Sequence, residues 1–242
     1  MKMFNKKTIG IGTLAAILLI GIIAPSLPIA TAQQGGGPPS GGNQKFFDCD
    51  ALNPIEGGVI DMSVRVKDGK TCNIHTINDD ITINGDVVAG ADAVLQISAT
   101  NWNGEAKTVT INGSVKSDGG HRVSINGLNL DDKFVQITGS VQIKNTKNGI
   151  DVSYAKIGGT AQFENNDGFY SINHSTVGGN VQVKDNTNTV FPDVDNYNDF
   201  SDNEISGNLQ CSGNDPAPIS SGGINTVQGK AQGQCASLAI EV

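Results

Sequence analysis

Aliphatic and polar residues alternate along short segments of this chain, and most of these segments share one pattern, aliphatic-x-Gly-x-aliphatic. In the copy that starts at Ile137, every second residue is aliphatic or glycine and the residues between them are polar. A period of two is the signature of a β-strand with one buried and one solvated face. This copy predicts a single strand with Ile137, Gly139, Val141 and Ile143 facing inward. Six full copies and one reduced copy recur at 83–87, 111–115, 137–141, 157–161, 177–181, 205–209 and 227–229.

The copies start 20 to 28 residues apart, a spacing typical of a solenoid of stacked coils. A coil of this size accommodates three strands, and successive coils stack about 4.8 Å apart. Further strands are visible at 149–154 and at 169–174. An antiparallel sandwich also has short strands, but it does not require matched side chains every 20 residues. The sequence therefore predicts an all-β fold, a right-handed parallel β-helix of about seven or eight coils over residues 46–242.

Polar residues also recur at matched positions, which predicts rows of side chains along the stacked coils. Glutamine recurs in four consecutive coils, and stacked amides can hydrogen-bond to one another. Two residues later the charges alternate in sign, so neighbouring coils attract. Asparagines follow in the turns, where we expect left-handed backbone angles. These positions are Gln142, Gln162, Gln182 and Gln210, then Lys144, Glu164 and Lys184, then Asn145, Asn165, Asn166 and Asn186.

The N-terminal part of the chain predicts an export signal followed by a tether. Three lysines within residues 1–7 precede an apolar stretch, and Ala-Thr-Ala at 30–32 supplies the small residues that a signal peptidase requires. We expect residues 1–32 to be a helical signal peptide that is removed, with an uncleaved transmembrane anchor as the alternative. Residues 33–45 are rich in Gly, Pro and Gln and predict a flexible linker.

Composition and charge exclude several classes of function. Glycine contributes 31 residues without a three-residue period, which excludes collagen. The formal net charge is −8, and loss of the three N-terminal lysines leaves 13 basic and 24 acidic residues, a charge of −11. A nucleic-acid binder needs clustered Lys and Arg, so no nucleic-acid partner is expected. The negative charge also repels membrane headgroups, so we expect membrane contact only if the signal segment is retained.

The four cysteines flank the repeats, and an even number of cysteines in a secreted protein predicts disulfides. Cys49 and Cys72 precede the first clear coil, and Cys211 and Cys235 lie in the last. The length of the predicted rod separates the two pairs, so we expect the local pairing of Cys49 with Cys72 and of Cys211 with Cys235. A zinc site is the alternative, although no C-x-x-C pair is present. Disulfides at both ends would close coils whose strand edges are unpaired.

The C-terminal segment carries two motifs, Gly-Asn-Leu-Gln-Cys at 207–211 and Asn-Thr-Val-Gln-Gly-Lys-Ala-Gln-Gly-Gln-Cys at 225–235. They resemble the end of a family of small secreted β-helix proteins of bacteria and archaea that have no assigned activity. The Ile-x-Gly-x-Val spacing is also similar to that of bactofilins, β-helical proteins that polymerise into cytoskeletal filaments. Bactofilins lack a signal sequence and a cysteine-closed last coil, so their intracellular role is not carried over. The resemblance implies a secreted solenoid of the cell surface.

A carbohydrate-active enzyme is the alternative function, because many secreted parallel β-helices cleave polysaccharides. Glycoside hydrolysis needs two carboxylates about 5 to 9.5 Å apart. Candidates lie at 79–80, at 131–132 and in the acidic run 193–204. However, the chain has one tryptophan, Trp102, and few other aromatic residues, whereas sugar clefts usually present several aromatic side chains. We therefore expect no catalytic residue and no cofactor.

The histidines and the acidic run do not predict a metal site. His75, His121 and His174 are scattered, without a partner cysteine or carboxylate at catalytic spacing. His174 matches Tyr154 in the neighbouring coil and is expected to decorate a strand. The run 193–204 is expected to be a solvated insertion, with calcium binding through its carboxylates as the alternative.

Two triplets fit the N-glycosylation acceptor pattern, at Asn112 and at Asn173. Asn112 falls inside a predicted strand, so Asn173 is the preferred acceptor. Taken together, these features predict a secreted structural or adhesive β-helix of the cell envelope or extracellular matrix, located outside the cell or at its surface. Its expected partners are cell-surface glycans or envelope proteins. A polysaccharide lyase or glycoside hydrolase on the same scaffold is the alternative.

Overall fold

The structure, a computed structural model, describes residues 45–77, 79–99, 107–128, 134–190 and 198–242. The described residues form three β-sheets in which every pair of neighbouring strands is parallel. They include no helix, and hence none long and apolar enough to cross a membrane. The predicted signal peptide, residues 1–32, and residues 33–44 of the predicted linker lie outside the described residues.

Each sheet takes one strand from each successive coil. Sheet I contains β2 (Gly58–Ile60), β5 (Ile81–Ile83), β8 (Val109–Ile111), β11 (Val135–Ile137), β14 (Ala155–Ile157), β17 (Thr176–Val177), β20 (Glu204–Ile205), β22 (Asn225–Val227) and β24 (Ala239–Glu241). Sheet II contains β1 (Phe46–Cys49), β3 (Ser63–Val66), β6 (Val87–Ala89), β9 (Val115–Asp118), β12 (Val141–Lys144), β15 (Ala161–Glu164), β18 (Val181–Lys184), β21 (Leu209–Ser212) and β23 (Ala231–Gly233). Sheet III contains β4 (Thr71–His75), β7 (Val94–Ser98), β10 (Arg122–Asn126), β13 (Ile150–Ser153), β16 (Tyr170–Asn173) and β19 (Asn198–Ser201).

The chain passes through sheet I, sheet II and sheet III in that order and then begins the next coil. Sheets I and II have nine strands each and sheet III has six, so the chain winds through about eight coils. Sheet III continues at its ends only as single bridges, from Ile55 to Ile74 and from Asp199 to Ile219. The predicted parallel β-helix is confirmed, including the strands expected near 149–154 and 169–174.

The aliphatic-x-Gly-x-aliphatic segment is a corner between two strands, which corrects the prediction of a single strand. Ile137 is the last residue of β11 in sheet I, and Val141 is the first residue of β12 in sheet II. Both side chains are buried, so the alternation of inward and outward residues continues across the corner. Gly139 lies at the corner itself and is only half-buried, so it does not belong to the core.

Close approach of the coils requires the glycine of each segment. The N–H of Gly139 donates to the carbonyl of Gly113 over 2.8 Å, and that of Gly159 donates to the carbonyl of Gly139 over 2.9 Å. A Cβ atom on Gly139 would lie 2.6 Å from the Gly113 oxygen, closer than real side chains approach. The repeated glycine therefore reflects packing between coils rather than an unusual φ angle.

The residue after the glycine of each of the six full copies is polar, and its side chain can cap the next coil. The N–H of Ser140 donates to Ser114 Oγ over 3.1 Å, and the N–H of Thr160 donates to Ser140 Oγ over 3.1 Å. A larger or apolar side chain would leave these backbone donors without an acceptor at the corner. This position therefore has a structural explanation.

The interior between the three sheets is dry and aliphatic. Its Val, Ile and Leu side chains are 0–3% exposed, and each contributes about 1.5–3 kcal/mol by burial. Aromatic side chains fill the later coils, where Phe163, Tyr170 and Phe200 are almost fully buried. The hydroxyl of Tyr170 donates to the carbonyl of Pro216 over 3.2 Å, and burial raises the pKa of this phenol.

The predicted glutamine row is confirmed in register, but its amide hydrogen bonds are long. We call a row of side chains at one position of successive coils a file. Gln182 donates to Gln210 over 3.4 Å, and Gln210 donates to the next member over 3.5 Å, whereas Gln162 donates to Glu164 instead. The register adds a fifth member to the four expected from the sequence. This glutamine file contains Gln142, Gln162, Gln182, Gln210 and Gln232.

The predicted charge alternation beside this file is also confirmed. Lys144 Nζ lies 2.9 Å from Glu164 Oε2, and Lys184 Nζ lies 3.8 Å from Glu164 Oε1. The ion pair with Lys144, through its hydrogen bond, lowers the pKa of Glu164. At this partly exposed surface such pairs contribute little to stability.

The turn asparagines have two different roles, of which the sequence predicted one. Asn145 and Asn165 have left-handed backbone angles, with φ of 54° and 55°, as expected. The same prediction for Asn166 and Asn186 is wrong, because these side chains point inward and form a tight ladder. Asn166 Nδ2 donates to Asn186 Oδ1 over 2.8 Å, and Asn186 Nδ2 donates to Asn214 Oδ1 over 2.8 Å. This asparagine ladder is 0–4% exposed at the corner between sheets II and III.

The two disulfides have the local pairing. Cys49 is joined to Cys72 with Cα atoms 5.4 Å apart, and Cys211 is joined to Cys235 with Cα atoms 5.3 Å apart. All four residues are 0–2% exposed, and they lie in the first and last coils. Two structural disulfides indicate an oxidising environment.

Candidate functional site

The two predicted glycosylation acceptors lie in different surroundings. Asn112 follows β8 at an exposed corner, not inside a strand as expected, and its Nδ2 donates to Asn84 Oδ1 over 2.8 Å. Asn173 is half-buried in β16 between two paired strands, and its Oδ1 accepts the N–H of Ser201 over 3.0 Å. Asn112 is therefore the more accessible of the two, which reverses the preference drawn from the sequence. Glycosylation itself stays a prediction.

The candidate carboxylates that the structure describes lie in different places, Asp80 at the start of a coil and Asp202 with Glu204 beside one groove. Asp80 Oδ1 accepts the N–H of Thr108 over 2.8 Å at the start of a coil. Residues 131–132, Trp102 and residues 193–197 of the acidic run lie outside the described residues. Among the described residues, no group of three His, Cys, Asp or Glu side chains could hold a metal ion. The expected solvated insertion is wrong for the described part of this run, because residues 198–201 form β19 and the side chains of Asn198, Phe200 and Ser201 are buried. Calcium binding by the run stays a prediction.

The outward face of sheet III carries a half-buried carboxyl group, Asp151. Its Oδ2 accepts Nδ2 of Asn126 over 3.2 Å. Burial raises the pKa of Asp151, while the Asn126 hydrogen bond and the Arg122 charge act in the opposite direction. Asp199 lies two strands further along the same face, and both of its oxygens accept hydrogen bonds from Ser201 or Ser221. Asp151 and Asp199 therefore do not combine a proton-donating acid with an unoccupied carboxylate base.

Three side chains stack at the corner between sheets III and I. Tyr154 follows β13, His174 follows β16 and Asp202 follows β19, and the strand registers place them in one file. The rings of Tyr154 and His174 are parallel to within 6°, with centroids 4.8 Å apart. The Nδ1–H of His174 donates to Oδ2 of Asp202 over 2.8 Å. The corner thus presents an aromatic pair followed by a carboxylate.

The backbone at these three positions is in the left-handed region, with φ of 49°, 50° and 55° at Tyr154, His174 and Asp202. Glycine adopts this region without strain, whereas a bulky residue such as Tyr is rarely found there. The equivalent position at the corner between sheets II and III is occupied by Gly, Asn or Asp wherever φ is positive. Two ring-bearing residues at strained positions are the kind of local cost that accompanies a functional site.

A groove of about 370 Å³ opens beside this file. We call it the corner groove. Its aromatic wall is formed by Tyr154, His174 and Phe134, and its carboxylates are Asp202 and Glu204. Serine, threonine and asparagine side chains complete the lining. Lys156 Nζ lies 4.0 Å from the centroid of the Phe134 ring at the edge of the groove, so two carboxylates face one cation and the net charge is negative.

Sequence reasoning matched His174 with Tyr154 but missed the partner of His174. The statement that no histidine has a partner carboxylate is wrong for His174, which contacts Asp202 28 residues later. His75 Nε2 lies 3.9 Å from Glu56, and a ring nitrogen of His121 lies 3.2 Å from the Asn148 amide, so neither lies in the groove. Extending the strand register by one long coil would have brought Asp202 beside His174.

Comparison with protein-family models, with curated proteins and with solved structures finds no match to this chain. The likeness of residues 207–211 and 225–235 to small secreted β-helix proteins therefore stays a prediction. Any function must be argued from the arrangement of the side chains themselves.

Proposed function

We propose that this protein is a secreted adhesive β-helix of the cell envelope or extracellular matrix that binds glycans through the corner groove. The observation that carries the proposal is the stacked pair of Tyr154 and His174 beside hydroxyl, amide and carboxylate groups. Flat aromatic rings bury the apolar C–H face of a sugar, and a few placed polar groups bind its hydroxyls. The groove brings both kinds of side chain together.

The charges of the groove favour neutral or amino sugars over uronic acids. Asp202 and Glu204 would repel a polyanion, and the acidic surface of the whole chain acts in the same direction. A protonated amino sugar would instead pair with these carboxylates. The same charges argue against the cleavage of acidic polysaccharides.

A rigid scaffold suits an adhesive role. Backbone hydrogen bonds connect every coil to the next, and disulfides join Cys49 to Cys72 and Cys211 to Cys235 at the two ends. A groove on such a scaffold is already ordered before the ligand arrives, so binding costs less entropy. Expected partners are glycans of the cell surface or of envelope proteins, reached from the predicted tether of residues 33–45.

An enzyme is less well supported by the same residues. His174 Nδ1 is paired with Asp202, and Ser175 Oγ donates to the carbonyl of Asn173 over 2.9 Å, so this hydroxyl is not directed at the imidazole as a nucleophile would be. Glu204 is the other carboxylate of the groove. Asp151 and Asp199 face outward on sheet III, but hydrogen bonds occupy the oxygens of Asp199. A lyase or hydrolase therefore remains the alternative that the experiment must separate from an adhesin.

A glycan array probed with the full chain, run beside assays for reducing-sugar release from common polysaccharides, tests the proposal. We expect binding without turnover, and we expect Tyr154→Ala and His174→Ala to lose binding. His121→Ala is the matched control, because this exposed histidine lies outside the groove. Equal binding by all variants would refute the groove, turnover would favour the enzyme, and absence of binding would favour a purely structural role.

A further inference from the structure

The glutamine file on sheet II does not form the continuous ladder of short amide hydrogen bonds by which stacked amides usually stabilise a fold. Its amide contacts are 3.4 and 3.5 Å long where they exist, and Gln162 turns to Glu164 instead of to Gln182. The asparagine ladder of the same protein shows what a structural amide ladder looks like, with buried contacts of 2.8 Å. The glutamine file therefore leaves donors and acceptors at the surface only weakly satisfied.

The position of the glutamines is maintained while neighbouring outward positions change. Five of the twelve glutamines of the chain fall in this one file, in consecutive coils. In the same coils the residue two places earlier is Ser140, Thr160, Asn180, Asn208 or Lys230, and the residue two places later is Lys144, Glu164, Lys184, Ser212 or Gln234. Simple copying of a repeat would have kept these neighbours as well. The glutamine is thus the outward side chain that these coils have in common.

The surface around the file is a shallow polar groove of about 120 Å³, lined by Gln162, Gln182, Lys184, Gln210 and Ser212. Two members of the file, Gln142 and Gln232, are exposed and the other three are half-buried. Glu164 pairs with Lys144 and Lys184, and Asp185 Oδ2 lies 3.3 Å from Lys184 Nζ, so two carboxylates balance the two lysines beside the strip. Such a strip suits an uncharged ligand that is rich in hydroxyl groups.

We propose that the glutamine file binds an extended, uncharged β-1,4-linked glycan that lies along the axis of the rod. Parallel coils repeat about every 4.8 Å, and each sugar of an extended β-1,4-linked chain advances by nearly the same length. One amide would therefore face each sugar over five consecutive units. Successive sugars present their hydroxyls on alternating edges, and an amide satisfies either edge because it has both a donor and an acceptor. An α-1,4-linked chain curves and cannot keep this match.

The inference rests on the proposed glycan-binding role for its class of ligand, but it uses a different surface from the corner groove. Calorimetric titration, in which β-1,4-linked gluco-oligosaccharides of two to six sugars are added to the full chain, tests this proposal. We expect the dissociation constant to fall by about two- to tenfold with each added sugar, as one net hydrogen bond per sugar implies. The gain should stop after the fifth sugar, which faces the fifth amide, and α-1,4-linked gluco-oligosaccharides should not bind.

The key variant replaces Gln162, Gln182 and Gln210 with leucine together, and Gln182→Leu alone serves if the triple variant does not fold. Gln136→Leu is the matched control, because Gln136 is an exposed glutamine on β11 of sheet I. We expect the control to bind as the wild type does, and the triple variant to lose the dependence on chain length. Circular dichroism would verify that all variants keep the fold.

Several outcomes would overturn this proposal. They are the absence of binding to the six-sugar chain, equal binding of α-linked chains, or unchanged binding by the triple variant. A change of oligomeric state in the triple variant with unaltered glycan binding would assign the file to contact with a second copy of the chain. Failure here is distinguishable from failure of the corner groove, because Tyr154→Ala should retain the length dependence while losing its array ligand.

Discussion

Replacement of Asn186 by alanine tests whether the asparagine ladder is a major source of stability. Asn186 is fully buried, and all four hydrogen-bonding sites of its amide are used. Its Nδ2 donates to Asn214 Oδ1 and to the Phe163 carbonyl, and its Oδ1 accepts both the N–H and the Nδ2 of Asn166. An amide has two donors and two acceptor sites, so no capacity is left over.

The magnitude follows from the groups that alanine would leave unpaired. The backbone N–H of Asn166 and one of its Nδ2 hydrogens lose their acceptor, and the Phe163 carbonyl loses one donor. Each buried group without a partner costs about 1–3 kcal/mol, so we expect a loss of about 3–5 kcal/mol in the free energy of unfolding. Gln182→Ala is the matched control from the glutamine file. Its loss should stay within about 1 kcal/mol, because the side chain is half-buried and its contact with Gln210 is 3.4 Å long.

Urea denaturation followed by far-ultraviolet circular dichroism would compare the two variants with the wild type. Solenoids can unfold in stages, so a second probe such as tyrosine fluorescence should give the same transition. Hydrogen exchange gives the local result, since the amide of Asn166 should lose protection in Asn186→Ala while the amide of Gly159 keeps it.

The reasoning would be refuted if the two alanine variants differed by less than about 1 kcal/mol. Unchanged protection of the Asn166 amide would refute it as well, because that amide has no other acceptor in the structure than Asn186 Oδ1. Asn186→Thr refines the test. The threonine hydroxyl can accept one of the two hydrogen bonds from Asn166, so the stability of Asn186→Thr should lie between that of Asn186→Ala and that of the wild type.

Three further predictions concern other contacts. Gly159→Ala should lower the stability measured by thermal denaturation by at least about 2 kcal/mol, because its Cβ would lie 2.9 Å from a backbone oxygen. Gly222→Ala should be nearly neutral, because the nearest atom to its Cβ would be 3.4 Å away, and equal effects of the two substitutions would contradict this. Burial raises the pKa of Asp151, so the folded chain holds this proton to higher pH than the unfolded chain and stability falls as the pH rises through the folded-state pKa. Asp151→Asn should therefore have a higher Tm than the wild type at pH 7, and this difference in Tm should disappear below about pH 3.8. A difference in Tm that did not change with pH would contradict the prediction. Substituting serine for both Cys211 and Cys235, which lie 24 residues apart, should cost about 3 kcal/mol in urea, and no loss would show that the last coil needs no closure.

The glutamine file and the asparagine ladder show that residues matched by the repeat can contribute very differently to stability. Gln182 and Asn186 both recur at coil spacing, but the sequence predicted an amide ladder only for the glutamines and a left-handed turn for Asn186. In the structure Gln182 lies on the outward face of a strand, where water competes for its amide. Asn186 lies just inside a corner and is fully buried, where an amide without partners would be costly. The difference depends on which way the turn directs the side chain, and a repeat pattern does not contain this information.

The architecture could be predicted from the amino-acid sequence, because the signals for a β-helix are local. Alternation with a period of two identifies a strand, and recurrence of one pattern identifies coils that stack. The same logic placed Cys49 near Cys72 and Cys211 near Cys235, since neighbouring coils are neighbouring in sequence. Even the glutamine row could be predicted, including Gln210, which lies 28 residues after Gln182.

The contact of His174 with Asp202 became visible only in the folded chain, because it crosses a coil of unequal length. The coil before Asp202 is eight residues longer than the one before His174, and its extra residues lie between β18 and β19. The strands after this insertion return to register, which brings Asp202 against His174 and completes the corner groove. An insertion can be placed at any of the three corners, and its position determines every later contact. Backbone pairing between coils makes that choice, and it is a long-range effect that no local pattern encodes.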